Sequence, residues 1–152
     1  AIVRARDEEP ITTTGRLAAI IHGVMPAPRQ GQPDSATRSF QALRIYVNRE
    51  LGEIEDGLAA AEAMLKPGGI LAVVSFHSLE DRIVKRFLRA RSGARARPSR
   101  HLPDIEAPEP TFELLARKPI LPAAEETVAN ARARSAKLRV ARRTGATVEG
   151  AA

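Results

Sequence analysis

Four consecutive residues directly after an apolar run carry groups that could contact a substrate. The run Ile70–Val74 contains no polar side chain, and it is followed by Ser75, Phe76, His77 and Ser78. In an open parallel sheet, ligands bind beyond the carboxyl ends of the strands. The hydroxyl and imidazole groups could accept hydrogen bonds from a substrate amine, and the aromatic ring could stack on a base. We therefore predict that this strand-end segment, residues 75–78, borders a binding site.

The same polar residues could instead cap the next helix. Ser78 stands three positions before Asp81, which is the spacing of a capping box. A helix over about Leu79–Arg91 would follow, and Phe76 would then belong to the core. Both interpretations remain open from the residues alone, because a helix cap can also form the edge of a pocket.

The elements around this segment predict an α/β fold. Because Ile70–Val74 is apolar on both faces, we expect helices to cover both faces, as in a parallel sheet. The turn Lys66–Gly69 precedes the strand and supplies a glycine for a left-handed helix cap. Two late strands are predicted at Thr111–Arg117 and Ala136–Arg143, with a short helix around Glu125–Asn130 between them.

The first third of the chain is predicted to be helical. We expect a short helix over residues 1–7 and a second one after the N-cap hydroxyls of Thr12–Thr14. Apolar residues then recur at helical spacing from Ala36 to Leu65. Because Gly52 weakens that helix, either one continuous helix or two helices joined near Gly52 is expected.

Basic residues are concentrated in two segments of an otherwise acidic chain. Residues 82–100 carry eight bases and residues 132–143 carry six, with no acid in either segment, and the whole chain has a net charge of +6. Such segregation favours a polyanion such as nucleic acid, although a solvated loop and tail without a partner is the alternative. A polar helical face that contains no acid adds four candidates for RNA contact, which are Arg38, Gln41, Arg44 and Asn48.

Composition excludes several classes of site. The chain has no cysteine, so disulfides and thiolate chemistry are absent, and its three histidines are too widely spaced to suggest a zinc site. The longest aliphatic run is about five residues, which is too short for a membrane span. We expect a cytoplasmic protein with no metal and no membrane partner. The chain begins with Ala1, which suggests a fragment of a longer protein.

A resemblance to a known family rests on three sequence blocks. They are ATRSFQALRIYVNREL (36–51), SFHSLEDRIVKRF (75–87) and RARSAKLRVARR (132–143). Together they closely resemble the bacterial 16S rRNA (cytosine-N4) methyltransferase family, which depends on S-adenosylmethionine. The resemblance implies the late strands of a Rossmann-like class I methyltransferase sheet, in which the fifth strand is parallel and the last two strands form an antiparallel pair.

The resemblance also implies an organisation of the chain. Residues 1–50 would be part of an inserted helical RNA-binding domain, and residues 51–143 would be the C-terminal part of the methyltransferase domain. A mobile basic linker is expected over 92–110 and a disordered tail over 144–152. Without the fourth strand of the family's sheet, the strand at Ile70–Phe76 should have one bare edge with uncovered apolar side chains beside it.

The activity that the resemblance implies is methylation of RNA. The parent enzyme would transfer a methyl group from S-adenosylmethionine to the N4 amine of a cytosine in the decoding region of 16S rRNA, and its partner would be small-subunit rRNA or the ribosomal subunit. His77 and Ser75 are candidate catalytic residues. The predicted RNA-binding residues are Arg38, Gln41, Arg44, Asn48, Arg82, Lys85, Arg86, Arg134, Lys137 and Arg139.

The expected location of the cofactor site and the alternative functions both follow from the absence of a glycine-rich motif. The ten glycines of the chain include no G-x-G, so the S-adenosylmethionine site is expected in a missing N-terminal half, which would be a partner of this chain. The fragment itself is expected to be inactive. One alternative is a non-catalytic RNA- or ribosome-binding module, and another is a related methyltransferase with a non-RNA substrate.

Overall fold

The computed structural model describes residues 1–28, 31–93 and 109–147. These residues form two compact units, of which the first is Ala1–Glu50 and the second begins at Leu51. Most of the predicted linker (94–108) and the last five residues (148–152) lie outside the described residues.

The first unit contains three helices, which are α1 (Ile2–Glu8), α2 (Thr14–His22) and α3 (Thr37–Asn48). The predicted cap of α2 is confirmed, because the Thr13 hydroxyl accepts a hydrogen bond of 3.2 Å from the backbone N–H of Arg16. Such a cap satisfies one of the N–H groups that an α-helix leaves free at its start.

The alternative of two helices joined near Gly52 is confirmed, and the break lies three residues earlier, at Arg49. Arg49 adopts a left-handed conformation with φ 53°, which ends α3, and α4 (Glu50–Met64) starts at the next residue. Glu50 favours this start: its carboxylate accepts hydrogen bonds from Arg44 and Asn48, and an acidic side chain is favourable at the positive end of a helix. Gly52 lies inside α4.

The second unit is built on a three-stranded sheet. Its strands are β1 (Ile70–Ser75), β2 (Phe112–Leu114) and β3 (Lys137–Arg143), in the order β1-β3-β2 with both pairings antiparallel. The antiparallel pair of late strands is therefore confirmed, although β2 is shorter than predicted. The strands alternate with α5 (Ser78–Arg91) and then α6 (Ala124–Ala129), which is followed by a 3₁₀ turn at Ala131–Ser135.

The left-handed glycine expected before β1 is present, but it lies in the turn 66–69 and does not cap α4, which ends at Met64. Gly68 has φ +83°, a conformation that L side chains rarely adopt. Its N–H donates to the carbonyl of Arg143 at 2.8 Å, and the N–H of Arg143 donates to the carbonyl of Gly69 at 2.8 Å. These bonds fix the turn to the end of β3 and set the register in which β1 pairs.

The predicted bare edge of β1 is confirmed within the described strands. β1 has β3 as its one neighbour there, and Ile70 and Val74 on one face are 48% and 53% exposed. The prediction that helices cover both faces is thus wrong for this part of the chain, because only the face of Leu71 and Val73 packs on the core. A parallel neighbour for β1 stays a prediction.

The core lies between the sheet and helices α4 and α5. Its buried residues are Leu58, Val84, Leu88, Phe112 and Ala141. The ring of Phe112 packs against that of Phe87 with centroids 6.1 Å apart and a tilt of 56°, a favoured arrangement of aromatic pairs. This packing fixes the inner side of α5, and its outer side is left to solvent.

Two buried polar residues connect the ends of these elements. The carboxylate of Glu62 on α4 accepts hydrogen bonds from the Nε of Arg91 and the hydroxyl of Thr111. The buried guanidinium of Arg143 donates to the carbonyls of Glu62, Thr111, Thr144 and Ala146. The expectation of a disordered tail from residue 144 is therefore wrong for Thr144–Thr147, which the guanidinium of Arg143 holds against the sheet.

We expect the exposed edge and face of β1 to cause self-association of this chain. An unpaired strand edge beside uncovered aliphatic side chains is a template for pairing with another copy. Sedimentation velocity should show a concentration-dependent increase in mass, and Val74→Lys should shift the distribution towards monomer. A monodisperse, cooperatively melting wild-type monomer over the same concentrations would contradict this prediction.

Candidate nucleic-acid interface

The strand-end segment caps α5 through a different pair of residues from the one predicted. His77 is the N-cap: its Nδ1 accepts from the N–H of Glu80 at 3.4 Å, and the Glu80 carboxylate accepts from the N–H groups of His77 (3.2 Å) and Phe76 (2.8 Å). The predicted box of Ser78 and Asp81 is wrong. Ser78 is already the first helical residue, and the Asp81 carboxylate points to β3 instead.

The two candidate catalytic residues have structural partners. Ser75 is buried and its hydroxyl donates to the carbonyl of Lys137 at 3.4 Å. The His77 Nε2 lies 3.0 Å from a Glu80 oxygen, but the direction is unsuitable for a hydrogen bond and this buried atom has no hydrogen-bond partner. Catalysis by Ser75 and His77 stays a prediction. Phe76 and Ser78 are the exposed residues of this segment, and Phe76, at 56% exposed, does not belong to the core.

Substitution of the cap residue tests its structural role. His77→Ala should lower the free energy of unfolding by about 1 kcal/mol, because the N–H of Glu80 loses its acceptor. His77→Asn should restore most of the loss, since asparagine is a favourable N-cap. Urea denaturation of the three chains measures the difference. Equal stability of the alanine and asparagine variants would contradict the cap.

The Asp81 carboxylate is the centre of an ion-pair cluster between α5 and β3. Arg139 donates to it twice, from Nε at 2.7 Å and from Nη2 at 3.2 Å, and the ammonium of Lys137 lies 3.5 Å away. The hydrogen bond from Arg139, aided by the charges of both bases, lowers the pKa of Asp81 below its ordinary value, and partial burial opposes this shift. Because Lys137 and Arg139 have this internal partner, we do not retain them as RNA-binding residues.

Most bases of the second basic segment, residues 132–143, likewise have partners within the protein. Arg142 pairs with Glu113 across the sheet at 3.3 Å, and Arg143 is buried on backbone carbonyls. Within the described residues, Arg132 and Arg134 are the two bases of this segment whose side chains have no hydrogen-bonding or ionic partner. Most bases of this segment therefore anchor β3 to the rest of the protein.

The first basic segment is different, because four of its bases lie on the outer side of α5, while Arg95, Arg97 and Arg100 are outside the described residues. The spacing of 3, 1 and 3 residues places four bases on one helical face, opposite the buried Val84 and Leu88. None of the four has an ion pair or side-chain hydrogen bond with another described residue. We call this the α5 basic face, and it consists of Arg82, Lys85, Arg86 and Arg89. Arg91 differs from these bases, because it pairs with Glu62 and stacks 4.0 Å above the Phe87 ring.

Helix α3 places its predicted contact residues along two clefts of the first unit. Gln41 and Arg44 line a cleft of about 710 Å³, and Gln41 and Arg38 line another of about 630 Å³. Arg44 and Asn48 also bind the Glu50 carboxylate at 2.8 and 3.2 Å. Arg38 and Gln41 are therefore the α3 candidates whose side chains lie along an open cleft without an ionic partner among the described residues.

A histidine–aspartate pair shapes these clefts and was not found from the sequence. The Nε2 of His22 lies 2.9 and 3.0 Å from the two carboxylate oxygens of Asp34, which also accepts the N–H of Ala36 at 2.7 Å. The hydrogen bond from His22 is the main reason that the pKa of Asp34 is lowered. The local signal was the two-residue spacing of Asp34 and Ala36, which is typical of an Asx turn.

Comparison with known proteins identifies the family. The sequence model of the MraW methylase family matches residues 1–144. The chain belongs to this family. The resemblance predicted from the three sequence blocks is thus confirmed.

Curated relatives of this MraW-family chain carry the name ribosomal RNA small subunit methyltransferase H. One from Methylorubrum populi is 60% identical over 146 residues, which are 95% of this chain and 41% of the relative. One from Paramagnetospirillum magneticum is 60% identical (96% and 46%), and one from Rhizorhabdus wittichii is 56% identical (100% and 47%). The chain spans less than half the length of these relatives, as expected if it corresponds to one part of the family's enzyme.

Two features of the described part of this MraW-family chain that could suggest an anion or cofactor site have partners within the protein. The N–H groups at the start of α5, where an anion would bind, are occupied by the side chains of His77 and Glu80. The glycine pair Gly68–Gly69 precedes a strand and is bonded to β3. No group of three potential ligand side chains in the described ranges could hold a metal ion. Among the described helices, none has the length and apolar character needed to cross a bilayer.

Proposed function

We propose that this chain is the C-terminal part of an rRNA methyltransferase. The complete enzyme transfers a methyl group from S-adenosylmethionine to the N4 amine of a cytosine in the decoding region of 16S rRNA, and it does so in the cytoplasm. Membership of the MraW methylase family and the name shared by the curated relatives support the proposal. The structural observation that carries it is the α5 basic face, whose charges lack partners in the described part of the chain.

The contribution of this chain is to bind and align RNA. The α5 basic face neutralises phosphates, and Arg38 and Gln41 add contacts from the first unit, which we assign to an inserted RNA-binding domain. Arg134 is a further contact of this kind. The cytosine amine is a poor nucleophile, so its alignment with the methyl donor is an important part of the catalytic task. A target base must leave its stack to be methylated, and the exposed ring of Phe76 offers it a stacking surface at the end of β1.

The cofactor belongs to the N-terminal half of the enzyme in this proposal. The described residues provide no cradle for S-adenosylmethionine, so the chain alone should transfer no methyl group. The N-terminal half covers the exposed edge of β1. One of its strands would be the parallel neighbour predicted for β1. Ser75 and His77 hold the end of β1 and the start of α5 in place, and their catalytic role stays a prediction.

A chimeric enzyme tests the proposal. The N-terminal part of the Paramagnetospirillum magneticum relative, joined to this chain, should transfer tritium from labelled S-adenosylmethionine to small ribosomal subunits that lack the modification. The product nucleoside should be N4-methylcytidine. This chain alone and the N-terminal part alone serve as controls. A folded chimera that methylates no RNA, or methylates another atom, would contradict the proposed function.

A non-catalytic RNA-binding module is the second candidate. It is favoured by one observation, namely that the described residues combine unpaired cations with no cofactor cradle. In that case the chain alone binds ribosomal RNA with full affinity, and the chimera transfers no methyl group.

A further inference from the structure

A small cleft lies between the α5 basic face and the chain that follows β2. It has a volume of about 30 Å³, and its floor is formed by Leu88 and Leu114. Four cations from three different elements surround it, and no carboxylate lines it. These cations are Lys85, Arg89, Arg117 and Arg139.

Three of these cations lack a counter-ion. Lys85, Arg89 and Arg117 have no ion pair or side-chain hydrogen bond with any other described residue, whereas Arg139 is neutralised by Asp81. Bringing like charges together is unfavourable unless an anion joins them. An apolar floor strengthens the attraction for such an anion, because it lowers the local polarity.

The size of the cleft limits what it can bind. A volume of about 30 Å³ is about that of one water molecule, so the cleft has room for a single phosphate oxygen, with the rest of the phosphate at its mouth, but not for a nucleobase. Arginine offers planar pairs of N–H groups that match phosphate oxygens, and two of the three unpaired cations are arginines. Lys85 and Arg89 are one helical turn apart, so both can face the same ligand.

We propose that this cleft binds a single phosphate of the RNA backbone, held by Lys85, Arg89 and Arg117 together. The inference rests on the proposed function, and it adds Arg89 and Arg117 to the predicted contacts. Arg117 begins the sequence RKPILP, which follows β2. One fixed phosphate would set the register of the RNA along α5, in addition to the general attraction of the basic face.

The salt dependence of RNA binding distinguishes a shared phosphate from separate contacts. Fluorescence anisotropy of a short labelled single-stranded RNA, titrated with this chain over a range of salt concentrations, gives the slope of log K against log salt. The triple variant Lys85→Gln/Arg89→Gln/Arg117→Gln should reduce the slope by about 0.7, the value for one phosphate of a single strand, if the three cations share one phosphate. Three independent contacts would reduce it by about 2.1, three times as much.

Neighbouring residues provide a matched control. Arg117→Gln should weaken binding about tenfold, the effect of losing one charge-assisted contact, whereas Lys118→Gln removes the same charge from a residue that does not line the cleft and should change binding less than twofold. Circular dichroism checks that both variants keep the wild-type fold.

Three results would overturn the inference. Equal effects of the two single substitutions would show a diffuse field instead of a site, and the proposed function would survive. A slope reduction near that of three independent contacts would exclude a shared phosphate, and the proposed function would again survive. A wild-type chain that does not bind RNA at all would overturn both the cleft and the proposed RNA contact.

Discussion

Replacing Asp81 by asparagine should lower the free energy of unfolding by about 3 kcal/mol. Removing one partner of a buried ion pair leaves the other charge without compensation, which typically costs about 3–5 kcal/mol. Here the side chains of Asp81 and Arg139 are only 12% and 11% exposed, and two hydrogen bonds join them. We expect a cost at the lower end of this range, because Lys137 and some solvent remain close to the pair.

The same pair predicts how stability depends on pH. Arg139 lowers the pKa of Asp81 in the folded chain below its ordinary value of 3.8. The unfolded state therefore binds the proton more readily, so the contribution of Asp81 is fully present above about pH 4 and is lost as the pH falls through the lowered folded pKa. Urea denaturation at neutral and acidic pH should show a smaller loss in Asp81→Asn than in the wild-type chain, because the lowered pKa of Asp34 contributes to both.

An exposed ion pair of the same sheet is the matched control. Arg142 and Glu113 are 49% and 62% exposed, and exposed pairs contribute about 0–1 kcal/mol. Glu113→Gln should therefore cost much less than Asp81→Asn. If the two substitutions had equal effects, the Asp81 cluster would not be a buried bridge. The double variant Asp81→Leu/Arg139→Met should recover part of the loss, since it also removes the nearly buried Arg139 charge that Asp81→Asn leaves without its partner.

Local signals in the sequence were sufficient for most elements of the second unit. The five-residue apolar run marked β1, the glycine turn marked its start, and α6 was predicted around the residues where it lies. Each of these signals involves residues within one turn or one strand of each other. The left-handed Arg49 shows the limit of this approach, because an arginine at φ 53° follows from the contacts of Glu50 and not from its own preference.

The roles of charged residues were the least predictable part, because their partners are distant in sequence. Asp81 and Arg139 are separated by 58 positions, and Glu62 and Thr111 by 49. From the sequence, Asp81 had the spacing of a helix cap, and Arg139 belonged to a basic segment. Only the packing of α5 on β3 brings them together. A count of basic residues therefore overestimated the positive charge of β3 that is available to RNA. It also could not show which of the two basic segments has more bases free to bind RNA.

Removing two charges from the α5 basic face should reduce RNA affinity about a hundredfold without a loss of stability. Arg82→Gln/Arg86→Gln deletes two charge-assisted phosphate contacts, each equivalent to about tenfold in affinity. With the same single-stranded RNA, the slope of log K against log salt should fall by about 1.4, which is 0.7 for each contact. Thermal unfolding should be unchanged, since neither side chain has an ionic partner in the described structure. Fluorescence anisotropy with a short labelled RNA measures the affinity.

A charge-matched variant separates this surface from the general charge of the protein. Arg4→Gln/Lys66→Gln removes the same two charges from exposed sites outside both basic segments, so it should leave the salt slope nearly unchanged. If both double variants flattened the slope equally, RNA would respond to net charge alone, and the α5 basic face would lose its assignment. A large loss for Arg82→Gln/Arg86→Gln alone would instead mean that the arginines without protein partners bind the nucleic acid, while those bound to Asp81, Glu62 and backbone carbonyls maintain the fold that presents them.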